Sequence, residues 1–470
     1  MGIGFLKKVC YNSVSCLEKE RKSITLKQAK RLISLVAVFM IVFTVACVPA
    51  RALTFNPDFE IASEGAYLVN LDTDTVIYEK NKDKQFCPAS LTKIMTAIIA
   101  LENCEDLSTK VTAPVFVFDD LYGRNASNAG MSAGEEMTME DLLYGLMLKS
   151  GCDSAGTIAY YFCQEDTASF VKMMNDKAKE IGAKDTVFAD PHGLNDGDSF
   201  TTAYDMYLIT KYALSLPKFE EIATSYYYEL PPTNKRGEDD STRYWTHTNS
   251  MMNKNSSYYN QYVKGIKTGT ASKSNIQNLV TMAQKDGNTY LLVVLGAPTR
   301  DADGNRQNST FRDSNKLYNW VFSDFSMRSL VDLEEYVAEV PVELSSGNNY
   351  VMALPGEDVL YFLPEDLDLS TEMTKVPHLN EEVLAPIKKG DVVGTMDLQI
   401  QGETVATVKL IAANDVNRST MKYIIYQAQQ FVGNKWVRVA LIVLGLLLFL
   451  YLVFTISYRM KKKKRRRRFR

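Results

Sequence analysis

The chain has 470 residues, 46% of them hydrophobic, which is enough for two or more domains. Its net charge of −3 hides a segregation: with the ten Lys/Arg of 459–470 and the net +7 of 1–52 set aside, residues 53–458 carry −20. A body this acidic excludes nucleic acid as the main ligand, because phosphate binding needs a basic surface.

At the N-terminus, Lys27, Lys30 and Arg31 precede an apolar run from Leu32 to Val48, followed by Ala50-Arg51-Ala52. A basic region, an apolar region and a small-x-small site predict a signal peptide over 1–52 (n-region 1–31, apolar 32–48), cut after Ala52. An uncleaved anchor helix is the alternative, since 17 apolar residues nearly span a bilayer.

Residues 61–80 alternate apolar and polar positions around Asp72-Thr-Asp74, which predicts a strand–turn–strand hairpin. After Pro88 the period changes: Leu91, Ile94, Met95, Ile98, Ile99 and Leu101 recur at helical spacing. Further helices are predicted over Glu140–Lys149, Ser154–Phe162 and Ala168–Ile181, the last ended near Gly182. Thr289–Leu295 reads as a buried strand. Mixed helix and strand in one block predicts an α/β or α+β domain over 53–327.

From Ser329 the character shifts. Tyr336–Val342, Tyr350–Ala353, Val359–Phe362, Val393–Gln399 and Thr404–Ile411 are short β-prone runs between turn residues such as Gly390-Asp391 and Gly402. They predict a small all-β domain over 328–415. Residues 416–436, with Tyr423, Ile424, Ile425 and Phe431, read as an amphipathic juxtamembrane connector.

Val439 to Tyr458 is 20 residues without a charge, and at about 1.5 Å per residue this spans roughly 30 Å, one hydrocarbon thickness. A transmembrane helix is therefore expected over 437–458, followed by a polybasic tail over 459–470. Lys and Arg beside a span stay cytoplasmic, which places the body outside: a single-pass cell-membrane protein with its large domain on the extracytoplasmic, wall side and its tail in the cytoplasm.

Cys87, Cys104, Cys152 and Cys163 lie in the exported body, and their spacing suits no zinc site. Cys152 and Cys163 fall 11 residues apart in a predicted helix, about 16 Å along its axis, too far to bridge each other. Buried thiols are expected.

Four short segments form one set: Ser90-Leu-Thr-Lys93, Ser150-Gly-Cys152, Pro191-His-Gly-Leu194 and Lys267-Thr-Gly269. The first, second and fourth have the shape and order of the S-x-x-K, S-x-N and K-T-G acyl-transfer signature. Ser90 opens a helix whose first amides lack intrahelical partners, so its own amide can help form an oxyanion hole. Lys93 falls one turn on, on the same face. A serine hydroxyl needs a neighbour to take its proton, and a lysine does this when burial or a second cation depresses its pKa. Lys267 can supply that second charge. Taken alone, Ser90 would be an N-cap and Lys93 a solvated side chain.

Lys267 beside the Thr268 hydroxyl can hold a substrate carboxylate, Gly269 admits a ligand close to the backbone, and the Thr270 amide can complete the oxyanion hole. The Ser150 hydroxyl, between two predicted helices, can relay a proton to the leaving group. His192 in Pro191-His-Gly-Leu194 reads as a structural turn residue. Asp190 and Asp196 beside it make no metal set, and no metal or cofactor is expected. Tyr226–Tyr228 reads as packing or rim.

With these residues assembled, the chain resembles the D-alanyl-D-alanine carboxypeptidases, low-molecular-weight penicillin-binding proteins that trim peptidoglycan stem peptides. The matching segments are Pro88–Ala97, Leu148–Asp153, Phe188–Leu194, Thr202–Met206 and Gly265–Thr270, within about residues 60–325. The resemblance implies a penicillin-recognising α/β (α+β) serine-transferase fold, with a five-stranded antiparallel sheet flanked by helices. It further implies Ser90 acylated by the penultimate D-Ala or by a β-lactam, Lys93 as general base and Ser150 as proton relay. Lys267, Thr268, Gly269 and Thr270 would bind substrate.

Arg312 could assist Lys267 in holding the carboxylate, as an arginine does in some relatives. Cys152 stands where the family places an Asn that contacts the substrate amide. Three readings stay open: an accepted variant, a weakened contact that slows turnover, or an inactive binding module. The rivals are DD-transpeptidation or endopeptidation, β-lactamase activity (no deacylating Glu with its own motif can be placed) and a non-catalytic wall-binding module.

Overall fold

The computed structural model of the chain describes residues 55–195, 197–301 and 303–467. The predicted signal peptide with its cleavage site, Asp196 and the last three tail residues lie outside them.

The first hairpin forms where alternation predicts it: β1 (Gly65–Asn70) turns into β2 (Thr75–Lys80). Asn70 closes the turn, its side-chain oxygen accepting the amides of Asp72 at 3.0 Å and Thr73 at 3.3 Å. Far along the chain, β3 (Val263–Ala271), β4 (Ile276–Lys285) and β5 (Asn288–Pro298) complete a five-stranded sheet of order β2-β1-β5-β4-β3. All its neighbours run antiparallel. β3 is an edge strand, and it carries Lys267-Thr268-Gly269-Thr270.

Period-two alternation divides two cores between the faces of this sheet. Leu291, Val293 and Leu295 of β5 join a cluster with α1 (Thr92–Asn103), α3 (Met139–Leu148) and α4 (Cys152–Cys163). Between α1 and α3 runs the short helix α2 (Val115–Leu121). Tyr290, Leu292 and Val294 join a second cluster with α8 (Ser309–Asp324). α5 (Thr167–Ile181), α6 (Ala203–Leu214) and α7 (Phe219–Thr224) complete the first face.

α1 is buried along its length from Thr92 to Ala100, which is why its sequence is apolar nearly all round. A reciprocal Thr138–Asp141 capping box starts α3. Gly182 in the left-handed region ends α5, as expected from sequence.

α8 leads directly into strand Phe325–Ser329, which pairs with Leu360–Pro364. The boundary expected at 327/328 thus falls inside a strand. A second antiparallel sheet follows, of order β6-β7-β10-β9-β8, from β6 (Ala338–Pro341), β7 (Tyr350–Pro355), β8 (Met373–Leu379), β9 (Val392–Ile400) and β10 (Glu403–Ala412).

The run from Val359 forms a strand of the small ribbon. One feature of this region differs from the sequence reading. β8 was not anticipated, because Pro377 interrupts its pattern. β8 lies at the sheet edge, where a missing N–H does no harm.

α9 (Thr420–Gly433) presents exposed Met421, Ile424, Ile425 and Phe431, and α10 (Lys435–Arg467) follows after one residue. Lys435–Met460 is long and apolar enough to cross a membrane, and none of it is buried against protein. The C-terminal domain is therefore all-β, followed by one apolar helix suited to membrane anchoring.

Candidate active site

Ser90 sits on a single 3₁₀ turn, Ala89–Leu91, placed just before α1. The turn is held from three sides. Ala89 takes a left-handed conformation (φ 50°). Gly193 (φ 81°) packs so closely beneath it that a Cβ there would overlap the Ala89 carbonyl oxygen. Asn278 of β4 donates its side-chain amide to the carbonyls of Cys87 at 2.8 Å and Pro88 at 3.3 Å. Its oxygen accepts the Gly296 amide at 2.9 Å. This clamp has no motif around it, and sequence reasoning missed it.

Lys93, the second residue of α1, is fully buried. Its Nζ donates to Ser90 Oγ at 3.0 Å, to the His192 carbonyl at 2.6 Å and to Cys152 Sγ at 3.4 Å. The Pro-His-Gly-Leu segment therefore serves the site through its backbone. The buried Asp190 carboxylate accepts the amides of His192, Gly193 and Asn195 and pairs with His192 Nδ1 at 3.0 Å. Burial opposes its charge, but the His192 partner and these amides hold it well below the usual carboxylate range.

Ser150 takes a left-handed conformation (φ 58°) between α3 and α4 and is 5% exposed. Cys152 is the first residue of α4 and fully buried. The preceding segment is tied to this corner: the Cys152 amide donates to the Ser127 carbonyl at 2.9 Å, and Ser127 Oγ to the Ser150 carbonyl at 2.7 Å. Asp153 accepts the amides of Ala129, Met131 and Ser154. Cys152 and Cys163 stand at opposite ends of α4, consistent with the absence of a bridge.

Lys267 is fully buried, its Nζ donating to the Thr268 carbonyl at 3.0 Å. Burial and then the neighbouring Lys93 ammonium push Lys267 well below an ordinary lysine, with Cys152 acting weakly the other way. Behind it, burial and the Lys267 charge push His247 down to about 3. The neutral imidazole accepts the Asn249 amide on Nδ1 at 2.9 Å and faces the Ile266 carbonyl with Nε2 at 3.2 Å. Thr268 shares a 2.7 Å hydroxyl contact with Thr248.

These elements enclose a cleft of about 690 Å³, lined by Ser90, Ser150, Thr268, Gly269 and Thr270 together with Arg124, Asn125 and Ser127. Among the described residues no group of His, Cys, Asp and Glu could hold a metal. Among the described residues no Asp or Glu lines the cleft.

One expectation needs correcting. Arg312 is not brought to the cleft. Its side chain is 46% exposed and engages Gln307 at 3.0 Å and Asp313 at 3.8 Å, because helical spacing turns it away while Thr310 and Phe311 face inward. The missing side chain of Gly269 is also needed by the protein itself: a Cβ there would meet the Pro88 carbonyl at 3.1 Å, so it lets the nucleophile turn pack on β3. Tyr228 is packing, stacked on Tyr144 at 3.8 Å.

Comparison with known proteins agrees with this geometry. The family model described as D-alanyl-D-alanine carboxypeptidase matches residues 51–299, and that of the penicillin-binding protein 5 C-terminal domain matches 325–418. The chain is 26% identical over 393 residues to D-alanyl-D-alanine carboxypeptidase DacF of Bacillus subtilis, covering 83% of this chain and 95% of that protein. It is 31% identical over 272 residues to a D-alanyl-D-alanine carboxypeptidase of Streptomyces sp. K15, covering 56% and 90%.

Among solved structures, Haemophilus influenzae penicillin-binding protein 5 shares the fold (TM-score 0.54, 23% identity, 77% of this chain and 100% of that one). The Streptomyces K15 DD-transpeptidase aligns with TM-score 0.50 at 30% identity over 57% of this chain and 100% of that one. Sequence match, fold and the arrangement around Ser90 agree, and the chain belongs to the D-alanyl-D-alanine carboxypeptidase family of serine peptidases.

Proposed function

We propose that this protein removes the terminal D-Ala from peptidoglycan stem peptides through an acyl-enzyme on Ser90, and that β-lactams acylate the same hydroxyl. The observation that carries the reading is the 3.0 Å contact from Lys93 Nζ to Ser90 Oγ inside a buried pair of lysines. Lys93 Nζ, at hydrogen-bond distance, takes the proton from Ser90 Oγ as the oxygen attacks the penultimate D-Ala carbonyl.

The open edge of β3 suits an extended peptide added as a further strand. In that pose the Ser90 and Thr270 amides receive the oxyanion. Lys267 and the Thr268 hydroxyl bind the terminal carboxylate. Ser150 passes the proton to the departing D-Ala nitrogen, and Cys152 flanks the acyl-side amide. Water then attacks the ester, the carboxylate leaves as product, and Ser90 regains its proton.

Residues 53–327 act as the catalytic domain and 328–415 as a spacer domain. Residues 416–436 connect to a span over 437–458. The ten basic residues of 459–470 support a cytoplasmic tail and a catalytic domain on the wall side.

A second reading is transfer of the acyl group to an amine. It is favoured because no carboxylate among the described residues lines the cleft to activate water, and the structural relative from Streptomyces K15 is named a transpeptidase. Fluorescent-penicillin labelling of the wild type and Ser90→Ala tests the acyl-enzyme, and a Ser90-independent label overturns it. D-Ala release from a pentapeptide, with and without an amine acceptor, separates hydrolysis from transfer.

A further inference from the structure

Strand Tyr227–Glu229 pairs antiparallel with Tyr244–Thr246, in the register Tyr227 to Thr246, Tyr228 to Trp245 and Glu229 to Tyr244. Alternation gives this ribbon two faces. Trp245 is buried and Tyr228 stacks on Tyr144, so the inner face serves the core. Tyr227 and Tyr244 turn outward at 49% and 46% exposure, with Glu229 and Thr246 exposed beside them.

The two outer rings are diagonal neighbours across the ribbon. They lie 6.1 Å apart and only 18° from parallel. Tyr244 is propped from within: the Arg243 guanidinium sits 5.6 Å from its ring centre. Arg243 is itself buried, donating to the Leu230 carbonyl and to that of Glu238 at 2.8 Å, and pairing with Glu229 at 3.2 Å. Two aromatic rings are thus fixed in place with about half of their surface left in water, a pre-organised ledge.

The ledge runs on into the substrate cleft. Thr246 stands two residues before Thr248, roughly 7 Å along an extended strand. Thr248 lines the cleft and shares its hydroxyl contact with Thr268 of β3. The charge of the molecule selects among ligands for the ledge: with −20 over 53–458, an anionic headgroup or polymer is repelled. A neutral sugar is not. The C–H groups on the flat side of a pyranose suit the negative face of an aromatic ring, and the Thr246 hydroxyl and Glu229 carboxylate can meet its hydroxyl and amide groups.

Resting on the wall-side hydrolase reading above, we propose that the Tyr227–Tyr244 ledge binds the neutral N-acetylated amino-sugar chain from which the stem peptides hang. The ledge lies at the Thr268 end of β3, where the terminal carboxylate binds, and the stem departs past Thr270 in the other direction. The bound chain is therefore a neighbouring stretch of glycan, and its role is to hold the cleft on a polymeric substrate.

Two measurements on the full chain test this. In the first, Ser90→Ala protein is titrated with a peptide-free oligomer of β-1,4-linked N-acetylglucosamine. Adding Tyr227→Ala and Tyr244→Ala weakens binding by about tenfold or more, while Tyr227→Phe with Tyr244→Phe, which keeps both rings, stays within about threefold. In the second, with Ser90 intact, the double-alanine variant releases D-Ala from a soluble pentapeptide at the wild-type rate but from intact polymeric peptidoglycan about tenfold more slowly. Absence of oligomer binding overturns the proposal, as does binding that survives in the double-alanine variant. An equal loss on both substrates also overturns it, returning the rings to a structural role. A change from dimer to monomer in the double-alanine variant, with no oligomer bound by either protein, assigns the face to a second copy of the chain instead. Absence of Ser90-dependent penicillin labelling in the wild type sinks the hydrolase reading, and oligomer binding still decides the ledge.

Discussion

Lys93 Nζ lies 3.4 Å from Cys152 Sγ, with both side chains fully buried. The thiol occupies one acceptor position around the amine, while Ser90 Oγ and the His192 carbonyl hold the others at 3.0 and 2.6 Å. Sulfur is a weak acceptor, so the two oxygens mainly fix where Lys93 points. The cysteine leaves the serine–lysine contact intact.

Cys152→Ala therefore slows acylation by a fluorescent penicillin by no more than about tenfold, the scale of one neutral hydrogen bond of ~0.5–1.5 kcal/mol. Cys152→Asn, which adds an amide for the substrate, lowers the KM of a pentapeptide more than it changes kcat. Stopped-flow acylation and D-Ala release measure the two effects. A loss beyond about a hundredfold in Cys152→Ala would exceed what such a bond supplies and would assign the thiol an essential role.

The lysine pair makes a prediction about pH. Burial and then the Lys93 charge hold Lys267 well below an ordinary lysine. Lys267 therefore gives up its proton at a lower pH than a free lysine does, and the substrate carboxylate loses a charged partner as pH rises. The KM of a pentapeptide rises toward alkaline pH in the wild type, and Lys267→Gln, which does not titrate, flattens that rise at a higher KM. D-Ala release measured from about pH 5 to 10 reads both. A pH-dependent KM that survives in Lys267→Gln would take Lys267 out of carboxylate binding.

The fold was legible where pattern and motif coincide. The β1–β2 hairpin, α1, α3, α4 and α5 follow from alternation, helical spacing and caps, because each packs one regular face on one core. Ser90, Lys93, Ser150 and Lys267 to Thr270 were legible from the spacing of three motifs. What stayed hidden depends on contacts distant in sequence. Asn278 reaches the Cys87 and Pro88 carbonyls across 191 and 190 positions. Arg124 lines the cleft next to a segment that Asp153 ties down by the Ala129 and Met131 amides and that Ser127 joins to the Ser150–Cys152 corner. Arg312 was misplaced because resemblance to a family does not settle helical phase, and a shift of two residues reverses the face.

Gly193 tests the support of the nucleophile turn. Its φ of 81° suits glycine, and a Cβ would overlap the Ala89 carbonyl oxygen. The overlap is with backbone, which cannot rotate away. Gly193→Ala should destabilise the protein by roughly 2 kcal/mol or more, as backbone strain at a special φ does. It should also lose more penicillin acylation than its melting temperature alone explains, because Ala89 carries Ser90. Thermal melting and labelling of the surviving folded fraction check both. Normal labelling of that fraction would show that the turn tolerates the shift.

His247 gives the last prediction, on stability. Its imidazole is fully buried and pushed down to about 3, first by burial and then by the Lys267 charge, from an ordinary 6.5. Between these values the unfolded chain binds a proton that the folded chain refuses, so folding stability falls as pH drops from about 6.5 toward 3 and is fully present above 6.5. One proton corresponds to about 1.4 kcal/mol per pH unit at most. Glutamine can keep a donor toward the Ile266 carbonyl and an acceptor for the Asn249 amide but does not titrate. His247→Gln should therefore flatten the acid slope of the unfolding free energy by up to one proton, with little change above pH 6.5. Carboxylates elsewhere contribute equally to both proteins and cancel in the comparison. Urea unfolding at a series of pH values measures the slope, and identical slopes would mean that His247 takes up its proton without opening the fold.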